Sequence, residues 1–319
     1  MLQTEQGTLN SDHGINRDSA LALSHRKGAE MYDLFALANR VREKFRGNSV
    51  DLCSIINAKS GACPEDCSFC AQSAHNKTDT NVYPLLSKEK ILDAAVSAKK
   101  NGVKRFCIVT SGKKPSGKEL DEICNFISEI RDLGLLPCAT LGMLDTGQLR
   151  QLKDAGLNRY HHNLETSEHF FSEICTTHTY RDKIKTIEAA KSLELSICSG
   201  GIFGLGESWE DRIDMAFALK ETGVDSVPLN FFTPIKGTLF GNRELLNPIE
   251  ALKIIALYRL VLPECEVRVC GGRPVTLRDL HSHIFQAGAD GLLIGNYLTT
   301  DGRDPEDDLQ MIKDLGLEI

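Results

Sequence analysis

Short apolar, β-branched runs recur along the chain, and most are followed by a stretch whose apolar positions fall at helical spacing. The short runs predict strands at Asp51–Asn57, Arg105–Thr110, Leu136–Leu141, Arg159–Leu164, Leu195–Ile202, Ser226–Phe231, Val267–Cys270 and Gly291–Ile294. The longer stretches predict helices at Lys88–Lys100, Gly117–Leu133, Tyr180–Leu193, Trp209–Glu221, Pro248–Leu262 and Leu277–Ala287. A further helix, Ala29–Phe45, precedes the first strand, and Asp304–Leu315 follows the last. Strands that alternate with helices pair in parallel through right-handed crossovers. The pattern therefore predicts an α/β fold, a (β/α)8 barrel of TIM type with an N-terminal helical extension, for which about 250 residues is usual. A doubly wound open sheet is the alternative. No linker or low-complexity tract divides the chain, so residues 29–319 read as one barrel domain. Residues 1–28 read as a flexible N-terminal arm.

Composition narrows the function. A net charge of −7 argues against a nucleic-acid surface, which is usually basic. No apolar run reaches the roughly 18–20 residues that span a bilayer, and Met1 to Ala20 lacks the apolar centre of a secretory signal. A cytoplasmic protein is expected. The 11 cysteines are many for such a chain, and an odd number in a reducing compartment does not suit a disulfide framework. Cys124, Cys175 and Cys265 fit as core thiols. The clustered cysteines need another explanation.

Cys63, Cys67 and Cys70 sit in Gly61-Ala-Cys-Pro-Glu-Asp-Cys-Ser-Phe-Cys70, directly after the first predicted strand. Such intervals let one short loop give three thiolates to an iron–sulfur cube and leave the fourth iron for a ligand. Soft thiolates select iron–sulfur clusters, zinc or Cu(I). A zinc site with His75 as fourth ligand is the competing reading of the motif alone.

The spacing, with the aromatic Phe69 before the last cysteine, resembles the radical S-adenosylmethionine (SAM) signature. The wider loop, Gly61 to Ala74, is similar to that of the biotin synthase family. Further blocks agree in order: Arg105-Phe-Cys107, Cys138-Ala-Thr-Leu-Gly142, His162-Asn-Leu-Glu-Thr-Ser167, Cys198 to Glu207, Ser226-Val-Pro-Leu-Asn230 and Leu298-Thr-Thr300. The resemblance runs from about Ser54 to the C-terminus. It implies a barrel in which SAM chelates the open iron of a [4Fe-4S] cluster and, on one-electron reduction, yields a 5′-deoxyadenosyl radical. It further implies sulfur insertion into dethiobiotin, with the sulfur drawn from an auxiliary cluster. Flavodoxin or ferredoxin is the expected type of electron donor, and a homodimer the expected assembly. A hydrogenase-maturase or methylornithine-synthase type of radical enzyme is the nearest alternative.

By resemblance, the auxiliary cluster is a [2Fe-2S] on Cys107, Cys138, Cys198 and Arg268. The chain departs from that pattern at Cys270, which shares a strand face with Arg268, and at Cys53, where the family has a hydroxyl residue. A protonated guanidinium is a poor ligand. A four-iron auxiliary cluster that uses Cys270, with Cys53 also available, is therefore expected; the alternative is the usual [2Fe-2S] cluster with Cys270 as a thiol packed beside it. The SAM contacts implied are Phe69, Thr110, Ser111, Asn163, Glu165, Lys183 and Ile202. Glu165 stands where the family has aspartate, and Lys183 where it has arginine. His161 replaces an asparagine. Asn163, Asn230, Thr299 and Thr300 match substrate contacts.

Overall fold

The alternation closes on itself. The structure, a computed structural model, describes residues 13–319. Its strands are β1 (Asp51–Lys59), β2 (Arg105–Thr110), β3 (Leu136–Thr140), β4 (Arg159–His161), β5 (Ser196–Cys198), β6 (Gly201–Phe203), β7 (Ser226–Phe231), β8 (Glu266–Val269) and β9 (Gly291–Leu293). All these strands pair in parallel, β1 joins β9, and β7 joins both β5 and β6, so no edge is left open. β5 and β6 are two halves of one stave, which makes the expected eight-staved barrel.

That split departs from the continuous strand predicted over 195–202, and Pro228 explains it. Pro228 has no N–H for its neighbour, and a Cβ on Gly200 would lie 2.1 Å from the Pro228 carbonyl oxygen. The ladder stops at Cys198 and resumes at Gly201, leaving a notch in the barrel wall.

Around the barrel lie α1 (Arg17–Ser24), α2 (Ala29–Arg46), α3 (Lys88–Lys100), α4 (Gly117–Asp132), α5 (Thr146–Asp154), α6 (Phe171–Ile174), α7 (Tyr180–Ser192), α8 (Trp209–Thr222), α9 (Pro248–Val261), α10 (Arg273–Leu277), α11 (His283–Gln286) and α12 (Pro305–Asp314). α5 was not predicted, although Asp145 and Gln148 form a capping box at its start and Leu149 and Leu152 bury its inner face. The helix predicted over Leu277–Ala287 is not continuous. Arg278 adopts φ +51°, which breaks it into α10, a 3-10 turn at Arg278–Leu280, and α11.

The expected arm is likewise only partly an arm. α1 is capped by Asn16, buries Ala20 and Ser24 against α8 and α9, and pairs Arg17 with Asp214 at 2.6 Å. Small residues one turn apart let this helix dock closely. Residues 1–12 lie outside the described residues.

Apolar side chains fill the layer between strands and helices. The N-terminal floor of the barrel is charged. Glu266 takes Arg159 in a two-pronged pair at 2.6 and 3.1 Å and Arg268 at 3.1 Å, and Arg268 also pairs with Asp51. Arg105 approaches Asp51 at 3.7 Å and Glu266 at 3.9 Å. Three guanidiniums over two carboxylates leave this floor net positive.

Candidate active site

Above that floor, the C-terminal ends of the strands open into a cavity of about 430 Å³. The loop after β1 forms its rim. Gly61 (φ +73°) and Ala62 (φ +48°) turn the chain sharply, and Val82 packs where a Cβ on Gly61 would sit. The loop closes through Cys63 N–H to Gln72 O (3.0 Å) and Ala74 N–H to Cys63 O (2.8 Å). The Asn76 amide donates to the carbonyls of Cys67 (3.2 Å) and Cys70 (2.8 Å). A loop held by its own backbone thus presents Cys63, Cys67 and Cys70 to one cavity. His75 does not join them; its Nε2 lies 3.0 Å from Pro64 O. The zinc arrangement with His75 is not formed.

Deeper in the same cavity lie Cys53 on β1, Cys107 on β2, Cys138 on β3, Cys198 on β5 and Cys270 just after β8. Cys107 and Cys138 are register partners. Burial pushes the thiols up, to about 12 at Cys53 and about 11 at Cys138, while Arg159 and Arg105 pull Cys138 back. Dry thiols above a cationic floor suit an anionic iron–sulfur core, because metal binding deprotonates them and the guanidiniums offset the charge. Arg268 belongs to that floor: its guanidinium donates to Asp51 O (2.9 Å), the Asp51 carboxylate and Glu266.

A polar chain joins the two levels. Cys107 Sγ lies 3.5 Å from Thr140 Oγ1, which is 2.9 Å from His161 Nδ1. His161 Nε2 is 2.7 Å from Asn163 Oδ1, and Asn163 Nδ2 donates to Glu165 at 3.3 Å. Burial pushes His161 down to about 4, so its ring is neutral near pH 7. Glu165 adopts φ +73°, a conformation that costs energy for a residue with a Cβ and is found at functional sites. Burial raises its carboxyl, and the charge of Lys183 opposes that rise. Asn230 on β7 bridges the upper half of the split stave and the β8 exit, donating to Gly201 O (3.2 Å) and accepting from Gly271 N–H (3.0 Å).

The radical SAM superfamily pattern matches residues 58–219, and the Biotin and Thiamin Synthesis associated domain matches 228–318. The chain is 55% identical to the biotin synthase of Thermodesulfovibrio yellowstonii over 93% of its own length and 94% of that protein's. It is 51% identical to the biotin synthase of Geotalea daltonii, over 95% of its own length and 92% of that protein's. The chain belongs to the biotin synthase family.

Two solved structures share the fold of this family member. Methylornithine synthase superposes with a TM-score of 0.86 at 19% identity, covering 98% of this chain and 96% of that one. The [FeFe]-hydrogenase maturase HydG gives 0.84 at 16% identity, covering 99% of this chain and 74% of that one. Identity near 50% against identity below 20% separates biotin synthase from these alternatives.

Every residue assigned a site role from sequence lines the one cavity, including Phe69, Thr110, Ser111, Ile202, Thr299 and Thr300. Ser111 Oγ donates to Gly61 O (2.8 Å), tying the β2 exit to the cysteine loop. Three features of this biotin synthase family member escaped sequence reading. Arg105 and Arg159 line the cavity from below. Cys175, expected as a core thiol, is buried but stands beside Cys67, because the segment between α6 and α7 bonds back to the loop through Ser68 N–H to Ile174 O (2.8 Å). His178 completes that group. The Cys175-Thr-Thr-His178 spacing was the available signal. No helix of the described residues is long and apolar enough to cross a membrane.

Proposed function

We propose that this chain inserts sulfur into dethiobiotin to form biotin, with Cys63, Cys67 and Cys70 holding the SAM-binding [4Fe-4S] cluster and the deeper thiols holding an auxiliary cluster. The observation that carries this reading is the second thiol set lining the same cavity beneath the loop. When bound, the outer cluster and SAM supply a radical able to take hydrogen from unactivated carbon, and the inner cluster supplies sulfur.

The chain's own residues bind, orient and exclude water. Thr110 and Ser111 offer backbone carbonyls to the SAM amino group, and Lys183 faces its carboxylate as a single charge without the arginine fork. Phe69 and Ile202 flank the nucleoside, and Asn163 with Glu165 hold the ribose. The Asn230 amide already uses one N–H and one oxygen lone pair on backbone, which leaves one of each for a cyclic urea. Thr299 and Thr300 at the mouth donate to the substrate carboxylate.

Cys107, Cys138, Cys198 and Cys270 form the inner ligand set, with Cys53 beside them. Arg268 keeps its guanidinium on Asp51 and Glu266, which favours a four-iron cluster on Cys270 over a [2Fe-2S] cluster on arginine. Flavodoxin or ferredoxin supplies the electrons, the protein is a homodimer, and eleven free thiols fit the reducing cytoplasm.

The test is anaerobic turnover of the reduced protein with SAM and dethiobiotin. Biotin formed together with 5′-deoxyadenosine is the expected result. Formation of 5′-deoxyadenosine with no sulfur-containing product overturns the proposal.

A further inference from the structure

Cys175 and His178 have no part in the activity proposed above, yet they converge on one of its ligands. The Sγ atoms of Cys67 and Cys175 and a ring nitrogen of His178 all lie within 4.8 Å of one another. Cys175 Sγ stands 3.3 Å from His178 Nδ1 and 3.8 Å from Nε2. A tetrahedral ion with bonds of about 2.3 Å to sulfur and about 2.1 Å to nitrogen places those atoms roughly 3.6 Å apart. The Cys175–His178 spacing is that of a single ion's coordination shell, and Cys67 Sγ stands within 4.8 Å of both.

The surroundings fix the ligands. Glu65 Oε2 lies 2.5 Å from His178 Nδ1 and accepts from Thr177 Oγ1 at 2.7 Å, and both Glu65 and His178 are buried. A carboxylate on Nδ1 holds the proton there and leaves Nε2 as the donor, as it does behind many metal-bound histidines. In the metal-free chain the Cys175 thiol donates to Asp66 Oδ1 at 3.1 Å, an oxygen itself held by the Thr176 (2.9 Å) and Thr177 (3.2 Å) N–H groups, and metal binding releases that proton. The segment carrying Cys175 is bonded to the cysteine loop through Ser68, so Cys67 is kept within reach.

We propose that Cys67, Cys175 and His178 form a site for one thiophilic divalent cation, of the ferrous or zinc kind, in the chain that lacks its outer cluster. Two thiolates and an imidazole match the preference of such ions, and a fourth position stays open for water. Binding displaces two thiol protons to solvent. Cys67 is shared with the proposed cube, so the single ion and the cube exclude each other. The ion pins the loop to the α6–α7 segment until Cys67 is claimed. The site needs neither Cys63 nor Cys70, so its test is independent of the sulfur-insertion reading.

The experiment titrates cobalt(II) anaerobically into the cluster-free, full-length C63A/C70A chain and follows near-ultraviolet thiolate charge transfer and tetrahedral d–d absorption. Zinc and ferrous iron are then ranked as competitors. A cobalt displaced by zinc and lost when Cys175 or His178 is changed, over and above any cobalt held by the deeper thiols, is expected. Adding C175A or H178Q should weaken that binding at least about tenfold, beyond the low end of the effect of losing a supporting partner. If C175A does not fold by circular dichroism, C175S keeps the size and removes the soft ligand. Cobalt binding unchanged in both C175S and H178Q overturns the site, because the metal then sits on the deeper thiols.

Discussion

The outer and inner thiol sets share one cavity but are built by opposite means. Cys63, Cys67 and Cys70 lie on one loop whose backbone bonds to itself, so a local stretch of sequence fixes their geometry. Cys53, Cys107, Cys138, Cys198 and Cys270 come from separate staves and converge only because the barrel closes. The outer set is partly open and caged by amides, whereas the inner set is largely buried above paired guanidiniums. A site that must exchange SAM needs an open loop. A site that stores a reactive cluster needs a dry, rigid wall. The split stave at Gly200 lies between these regimes.

The comparison breaks most completely at the outer set. A C63A/C67A/C70A chain should form no 5′-deoxyadenosine above background, yet retain iron and sulfide in the barrel, since no inner ligand is touched. Iron and acid-labile sulfide analysis with Mössbauer spectra checks this. A residue of four irons fits Cys270 as a ligand, and a residue of two assigns the cluster to the family's usual form.

The inner set should instead be most sensitive through its floor. Glu266 neutralises Arg159 and Arg268, and its carboxyl is held well below the usual range; burial works against that, and the hydrogen bond and charge of Arg159 overcome it. Glu266→Ala strands buried guanidiniums, which should cost about 3–5 kcal/mol and roughly 10 °C in Tm. Glu266→Gln should cost less. The depressed carboxyl contributes stability that is complete above about pH 4.3 and lost as pH falls below it. Thermal melts of E266A, E266Q and parent across pH 3–7 check both statements. Equal Tm values for E266A and parent would show that the floor is not structural.

The same contrast explains what sequence could reveal. The loop trio was legible because spacing along the chain is also spacing in space. All eight staves and most helices were legible from periodicity, since each buries one face against a neighbour. The break at Ser199–Gly200 was not, because its cause is Pro228 on the adjoining stave. The break at Arg278 follows from its left-handed backbone, which apolar spacing does not reveal. The inner thiols became meaningful only through family resemblance plus strand alternation. Cys175 is the buried core thiol expected, but its approach to Cys67 was not legible because the two are distant in sequence, and the arginine floor was missed because ion pairs across a barrel leave no periodic trace.

The smallest expected effect lies at the link between the two regions. His161 joins Thr140, beside Cys107, to Asn163, beside Glu165, and burial holds its ring down to about 4. An unfolded histidine titrates near 6.5, so between about pH 6.5 and 4 the unfolded chain binds a proton that the folded chain refuses. Stability should therefore fall as pH drops through that window, with His161 accounting for about 1–3 kcal/mol. His162 is also pushed down by burial, so the fall in the parent has two sources. His161→Asn keeps an amide able to bond Thr140 or Asn163 and removes the titration. Urea unfolding of H161N and parent at pH 7 should differ by about 1 kcal/mol, the net worth of one hydrogen bond. At pH 4.5 the variant should have recovered that deficit, because it no longer contributes to the acid slope. A slope equal in both proteins would mean that the ring takes up its proton in the folded chain near pH 6.5. The link between outer and inner levels would then carry charge where the structure has it neutral.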